Sequence, residues 1–262
     1  MKLACCQGRE KIAKHYMDNA LNRTLKNPWD SLIYGVALTM ALHSEDHPEV
    51  IKALKKHYPD PETTRELCSG RGEPYDESLN KVHDPHLVHR GMCDAARLKQ
   101  PFPLTKKSMK KPSTALSFKG IKATQFKEKP GWEHFKRAIH ECDREELGKH
   151  TIFTQDKGRD MLLLESGCQV PVMDVWMIRK QLNLSPDITR EEEAEANKQI
   201  AKIKETPWMY DDYRNQIIEE AKECGRPVGE YHVGCWLGLA REGKFADEHV
   251  SAKYLDDLIR AI

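Results

Sequence analysis

The sequence predicts an all-α protein, and three observations support that prediction. Helix-start signals recur along the chain, and the strongest is at residues 27–30 (Asn-Pro-Trp-Asp). There the Asn can cap the helix, the Pro fits its first turn, and the Asp lies at the positive end of the helix dipole. Apolar residues form helix-length stretches behind such signals, and the proline-rich middle of the chain shows no strand-like alternation.

The helices follow in chain order from these signals. The nearly continuous apolar run at residues 32–42 predicts a helix buried on most faces, and a second helix at residues 49–58 ends before Pro59. Thr189 and Glu192 form a capping box before a charged helix that stops at Pro207. An amphipathic helix at residues 210–224 follows, and Gly225 marks its end. The other predicted helices are at residues 131–142, after residue 157, and at residues 175–182, 230–241 and 252–262.

Four regions follow from this pattern. Residues 1–68 form an N-terminal helical segment, and residues 69–130 form a lysine-rich insert that prolines interrupt repeatedly. Residues 131–245 carry the candidate catalytic helices, and residues 246–262 form a C-terminal helix. A chain of 262 residues is long enough to bury one sizeable core or two small lobes around a cleft.

Composition excludes several classes of protein. Charged residues make up 32% of the chain and the mean hydropathy is −0.71, yet apolar residues are spread throughout, which is typical of a globular protein and not of a disordered one. No apolar run approaches the roughly 18–20 residues of a membrane span, and the first residues lack the apolar stretch of a secretory signal. We therefore expect a cytoplasmic, nucleoid-associated protein.

The cysteines match no zinc-binding pattern of repeated two-residue gaps. Because no export signal is present, we expect them to be reduced and partly buried thiols. The eight cysteines are Cys5, Cys6, Cys68, Cys93, Cys142, Cys168, Cys224 and Cys235.

A histidine-rich stretch is a candidate metal site. His83, His86 and His89 precede Cys93, but Pro85 interrupts a helix there and no second pair of ligands follows. We expect neither a metal ion nor another cofactor.

Positive charge is concentrated in one segment, although the net charge of the whole chain is only +1. Between residues 106 and 129 eight lysines accompany a single acidic residue, Glu128. Lys119 and Lys122 in this segment are candidates to contact DNA phosphates, whose neutralisation supplies much of non-specific affinity. A solvated loop is the alternative interpretation.

Two residues 17 positions apart form the candidate catalytic pair. Lys157 opens one predicted helix and Asp174 caps the next one, so that both can face one cleft. A desolvated lysine, or one beside another cation such as Arg159, is a competent nucleophile. The aspartate can help to deprotonate it and can stabilise positive charge on a sugar. Lysines at helix starts and aspartates at caps are also common structural features, so the pair alone does not decide the function.

Several segments resemble the helix-hairpin-helix superfamily of base-excision DNA glycosylases. Residues 169–184, with their Val-Pro-Val segment before the aspartate, look like the corresponding segment of these enzymes, and residues 27–33 are similar to the opening of the endonuclease III branch. Residues 155–157 (Gln-Asp-Lys) resemble the catalytic-lysine segment of archaeal 8-oxoguanine glycosylases, and residues 221–241 look like their C-terminal helix pair.

The resemblance implies a fold, an activity and a set of site residues. The implied fold has two helical lobes with a cleft for DNA and an extruded base, and the implied activity is that of a bifunctional glycosylase and abasic-site lyase that excises 8-oxoguanine from double-stranded DNA. Lys157 takes the role of Schiff-base nucleophile and Asp174 that of the essential carboxylate. The implied base pocket contains Trp236, His232 and Trp208. The implied contacts to the DNA backbone are Thr154, Gln155 and Arg159.

The chain departs from the family pattern in three places. Met173 is inserted before the aspartate, and His232 stands where the archaeal family has a base-reading carboxylate. The hairpin lacks the Gly-x-Gly that lets backbone amides approach a phosphate. These departures leave two alternatives open: a phage-type relative that modifies thymine bases without releasing them, and a non-catalytic DNA-binding relative. We expect a monomer in each case.

Overall fold

The prediction of an all-α fold is confirmed. The computed structural model describes residues 8–69, 77–96, 131–148, 156–184, 190–239 and 248–260, and within these ranges it contains thirteen α-helices and no β-strand. The helices are α1 (Glu10–Lys26), α2 (Pro28–Met40), α3 (His47–His57), α4 (Pro61–Ser69), α5 (Pro85–Ala96), α6 (Trp132–His140), α7 (Arg144–Leu147), α8 (Asp156–Glu165), α9 (Val175–Gln181), α10 (Arg190–Glu205), α11 (Pro207–Glu223), α12 (Val228–Leu239) and α13 (Glu248–Ile259).

Helix α2 lies at the centre of the fold, and its sequence explains why. The Asn27 side chain accepts a hydrogen bond from the backbone N–H of Trp29 at 3.2 Å, which caps the helix as predicted. The helix that follows is apolar on most faces and packs against α1, α3 and α8. Gly35 allows the closest of these approaches, because a β-carbon at that position would lie 2.8 Å from the Leu162 side chain of α8.

Two clusters of buried apolar side chains hold the helices together. The first joins residues of α1 to α3 and α5 to α8 with α12 and α13, and includes Trp29, Leu32 and Leu163. The second is smaller and is built around Met173, Tyr210 and other side chains of α9 to α12. Trp236 of α12 packs against both clusters. It therefore lies where the two parts of the core meet.

The middle of the chain is more regular than the sequence indicates. Pro85 does not interrupt a helix but is the first residue of α5, where proline is well tolerated, and the Asp84 side chain accepts the backbone N–H of Leu87 at 2.9 Å. Val88 and Met92 of this helix are buried in the first cluster. Part of the predicted insert is therefore integrated into the core, whereas residues 97–130 lie outside the described residues.

The prediction of reduced cysteines is wrong. Disulfides join Cys68 to Cys93 and Cys142 to Cys168, and Cys235 is also disulfide-bonded. The two cysteines of each pair are about 25 residues apart in sequence, and tertiary packing brings them together; Cys68 and Cys93, for example, lie on the packed helices α4 and α5. No spacing motif in the sequence reveals such pairs. Among the described cysteines, only Cys224 is a free thiol.

In the described part of the chain, none of the helices combines the length and the apolar character needed to cross a membrane.

Candidate functional site

A cavity of about 320 Å³ opens between α1, α2, α8, α9, α12 and α13, and the ends of α3 and α10 also contribute to its wall. Its volume is at the small end of the range for ligand pockets. Aromatic and aliphatic side chains form most of its wall, and a few polar groups converge on it. The predicted site residues Lys157, Asp174, His232 and Trp236 all line the cavity, together with Glu165 and Lys204.

Lys157 is the second residue of α8 and is largely removed from solvent. Burial lowers the pKa of its amine, the nearby Asp174 carboxylate partly restores it, and the Lys204 ammonium lowers it further. Within the described parts of the chain, Lys157 has no hydrogen-bond or ion-pair partner. A lysine in this environment is more often uncharged than one in water, and the uncharged amine is the nucleophilic form.

A substitution that removes this amine is expected to stabilise the fold. Because the pKa of Lys157 is depressed, carrying its charge at pH 7 opposes folding, and this cost disappears as the pH rises towards the ordinary lysine pKa. We expect Lys157→Met to raise the melting temperature at pH 7, and we expect the gain to shrink near pH 10. Calorimetry at both pH values tests this, and a melting temperature lower than that of the wild type at pH 7 would contradict it.

Asp174 caps α9 and is fixed by two donors. One carboxylate oxygen accepts the backbone N–H of Met177 at 2.9 Å, as the sequence predicts for a helix cap. The other oxygen accepts the indole N–H of Trp236 at 2.7 Å. Asp174 is 8% exposed and lines the same cavity as Lys157. Two converging hydrogen bonds hold the carboxylate in one orientation without neutralising its charge.

His232 lies one turn before Trp236 on α12 and is 3% exposed. Its Nδ1 atom is buried and has no hydrogen-bond partner among the described residues. Burial lowers the pKa of His232 to about 4, against the opposing influence of Asp174. The imidazole is therefore neutral near pH 7 and offers one donor and one acceptor.

The neutral state of His232 predicts a loss of stability in acid. The unfolded chain binds a proton at this residue below about pH 6.5, whereas the folded chain does so only near pH 4, so stability falls as the pH drops between these values. The contribution lost over that interval is about 3 kcal/mol. Urea unfolding from pH 7 to pH 4 should show a steeper decline for the wild type than for His232→Leu. Parallel declines would contradict the buried neutral histidine.

The cavity wall also carries a hydrogen-bonded pair, Tyr16 and Glu165, that the sequence does not predict. The hydroxyl of Tyr16 donates to the Glu165 carboxylate, 2.8 Å from each oxygen, and the Arg23 guanidinium lies 2.9 Å from one of them. Burial raises the pKa of Glu165 while Arg23 opposes that rise. Because these partners are more than 140 residues apart in sequence, no local pattern could have revealed them.

Two predicted site residues do not line the cavity. Trp208, in the first turn of α11, is 66% exposed and does not line the cavity, because the residues of α11 that face the core are Tyr210, Ile217 and Ala221. Arg159 forms an ion pair with Asp156 and is not the cation beside Lys157; that cation is Lys204. The predicted DNA contacts Thr154, Gln155, Lys119 and Lys122 lie outside the described residues.

The histidine-rich stretch does not form a metal site in the part of the chain that the structure describes. No three metal-binding side chains are grouped there. Cys93 is disulfide-bonded, and His89 is hydrogen-bonded to the Tyr58 hydroxyl at 2.9 Å. His83 and His86 are exposed, on or beside the first turn of α5.

No protein-family model, curated protein or solved structure matches this chain. The interpretation of the cavity therefore depends on its own residues.

Proposed function

We propose that this chain is a bifunctional DNA glycosylase and abasic-site lyase that excises an oxidised base, 8-oxoguanine by resemblance, from double-stranded DNA. One observation carries the proposal: a desolvated lysine amine and a buried, doubly hydrogen-bonded aspartate lie on the wall of the same aromatic-lined cavity. The two apolar clusters that meet at Trp236 support the two-lobed helix-hairpin-helix arrangement for such an enzyme.

The reaction begins with the extrusion of the damaged base. A base stacked in a duplex is out of reach of an enzyme, so it is flipped into a pocket that contacts its faces and its polar edge. Trp236 and Trp176 supply aromatic surface in the cavity, and the neutral imidazole of His232 supplies a hydrogen-bonding group. Lys204, at the end of α10, adds a positive charge that favours the adjoining phosphates.

Lys157 and Asp174 then carry the covalent step. The neutral amine of Lys157 attacks C1′ of the nucleotide, so that a C–N bond to the lysine forms as the bond to the base breaks and the base leaves with a proton. The Asp174 carboxylate stabilises the positive charge that develops on the sugar. The sugar ring then opens by cleavage of the C1′–O4′ bond, with a proton taken up by O4′, and a Schiff base forms between C1′ and the lysine nitrogen. The Schiff base acidifies the C2′ protons, and loss of one of them with cleavage of the C3′–O bond releases the 3′ phosphate.

The proposal is tested by base release from duplex oligonucleotides that each carry one lesion, with 8-oxoguanine first. We expect release of one class of base, followed by strand cleavage 3′ to the abasic site. Incorporation of a labelled amine into DNA without base release would indicate the base-modifying alternative instead. Duplex binding without any chemistry would indicate the non-catalytic one.

A further inference from the structure

The segments that carry Lys157 and Asp174 are joined through a residue of a third helix, Tyr210 of α11. We propose that the Tyr210 hydroxyl is a positioning group that holds Asp174 at a fixed place relative to Lys157. The inference deepens the proposed function and rests on it for the roles of the two residues. The bridge itself is independent of the reaction.

The first half of the bridge reaches the aspartate segment. The Tyr210 hydroxyl oxygen accepts the backbone N–H of Met173 at 3.2 Å, one peptide before Asp174. Met173 is fully buried, and Tyr210 is 1% exposed. The segment between α8 and α9 has no regular secondary structure. A hydrogen bond from its last peptide to a buried side chain therefore restricts where the aspartate lies.

The second half of the bridge reaches the lysine helix. Asp160 lies three residues after Lys157 in α8, is fully buried, and accepts a hydrogen bond from Arg144 at 2.8 Å. Burial raises the pKa of Asp160, whereas Arg144, Arg214 and the Tyr210 hydroxyl lower it. The same Arg144 guanidinium also binds Asp156 at 2.7 Å and lies 5.7 Å from the centroid of the Tyr210 ring, so that Arg144 connects the Tyr210 side chain to α8.

The hydrogen bond to Tyr210 gives the Met173 insertion, a departure from the family pattern, a structural role beside the proposed catalytic pair. Met173 is the residue inserted before the aspartate, and it is also the residue whose N–H binds Tyr210. A displacement of about 1 Å in a catalytic group can cost about 100-fold in rate. A fixed distance between Asp174 and Lys157 also sets how strongly the carboxylate raises the pKa of the amine.

The test compares two tyrosine-to-phenylalanine variants. Tyr210→Phe removes the hydrogen bond to Met173 and keeps the ring beside Arg144. Tyr231→Phe is the matched control, because Tyr231 is also buried in the second cluster and loses a hydrogen bond of similar length, to Glu220 at 3.0 Å. The readout is the pH dependence of amine labelling at Lys157, resolved by peptide mass spectrometry on the intact protein at a temperature where circular dichroism shows all variants folded. Asp174→Asn supplies the reference shift.

We expect Tyr210→Phe to lower the apparent pKa of Lys157, as Asp174→Asn does, and we expect Tyr231→Phe to leave it at the wild-type value. Base release should fall about 10- to 100-fold in Tyr210→Phe with DNA affinity unchanged. A wild-type pKa for Lys157 in Tyr210→Phe, or an equal shift in Tyr231→Phe, would overturn the inference. Because the labelling needs no DNA, an expected pKa shift in a protein that releases no base would leave the bridge standing and remove only the proposed function.

Discussion

Lys157→Gln is expected to abolish covalent trapping of the protein on lesion-containing DNA by borohydride. An amide side chain cannot form the Schiff base that borohydride reduces, and the other described lysine on the cavity wall, Lys204, is exposed to solvent. DNA binding should persist, because the residues that we propose as phosphate contacts are left in place. The trapped complex is measured by denaturing electrophoresis, and binding is measured by fluorescence anisotropy under the same conditions.

Lys202→Gln is the matched control for this substitution. Lys202 lies on α10, is exposed, and does not line the cavity, yet its replacement removes the same charge. It should trap as the wild type does. Trapping that survives in Lys157→Gln would remove Lys157 from the nucleophile's role, and loss of trapping in both variants would show that net charge and not the nucleophile had been tested.

Asp174→Asn is expected to slow base release by about 100- to 10,000-fold without unfolding the protein. The amide oxygen of asparagine can still accept the N–H of Met177, so that the cap of α9 survives. The amide NH₂ would then face the indole N–H of Trp236, which leaves two donors opposed and no negative charge beside the sugar. Single-turnover release of base, measured together with the melting temperature, separates the two effects.

Asp143→Asn controls for the loss of an acidic helix cap. Asp143 caps α7 by accepting the N–H of Glu146 at 2.9 Å, and it does not line the cavity. Its asparagine variant should release base at the wild-type rate. Equal rates in the wild type and Asp174→Asn would exclude the proposed role of the carboxylate, and equal slowing in both variants would assign the effect to helix capping.

The features that the sequence predicts well are those that depend on a few neighbouring residues. The start of α2 at Asn27 and the cap of α9 at Asp174 are local hydrogen-bonding patterns, and the structure confirms both. Lys157 of α8 reaches the cavity only through tertiary packing, whereas His232 and Trp236 line it together because they are one helical turn apart on α12. Helical geometry alone converts such spacings into neighbours.

The features that the sequence misses depend on pairs far apart in the chain. Trp208 has an aromatic side chain of the kind that lines binding pockets, but it lies on the face of α11 that is exposed to solvent. Lys204 replaces Arg159 as the cation beside Lys157 because α10 packs near α9, a contact that no local pattern records. The disulfides and the contact between Tyr16 and Glu165 belong to the same class.

The most direct test of the central claim is to map the covalent adduct between the wild-type protein and DNA. The protein is incubated with duplexes that carry 8-oxoguanine, other oxidised bases or an abasic site, borohydride is added, and the adduct is located by peptide mass spectrometry. We predict base release from one class of lesion and a reduced sugar adduct on Lys157 alone. Duplex binding with no base released and no adduct on any of these substrates would contradict the proposed glycosylase and lyase activity.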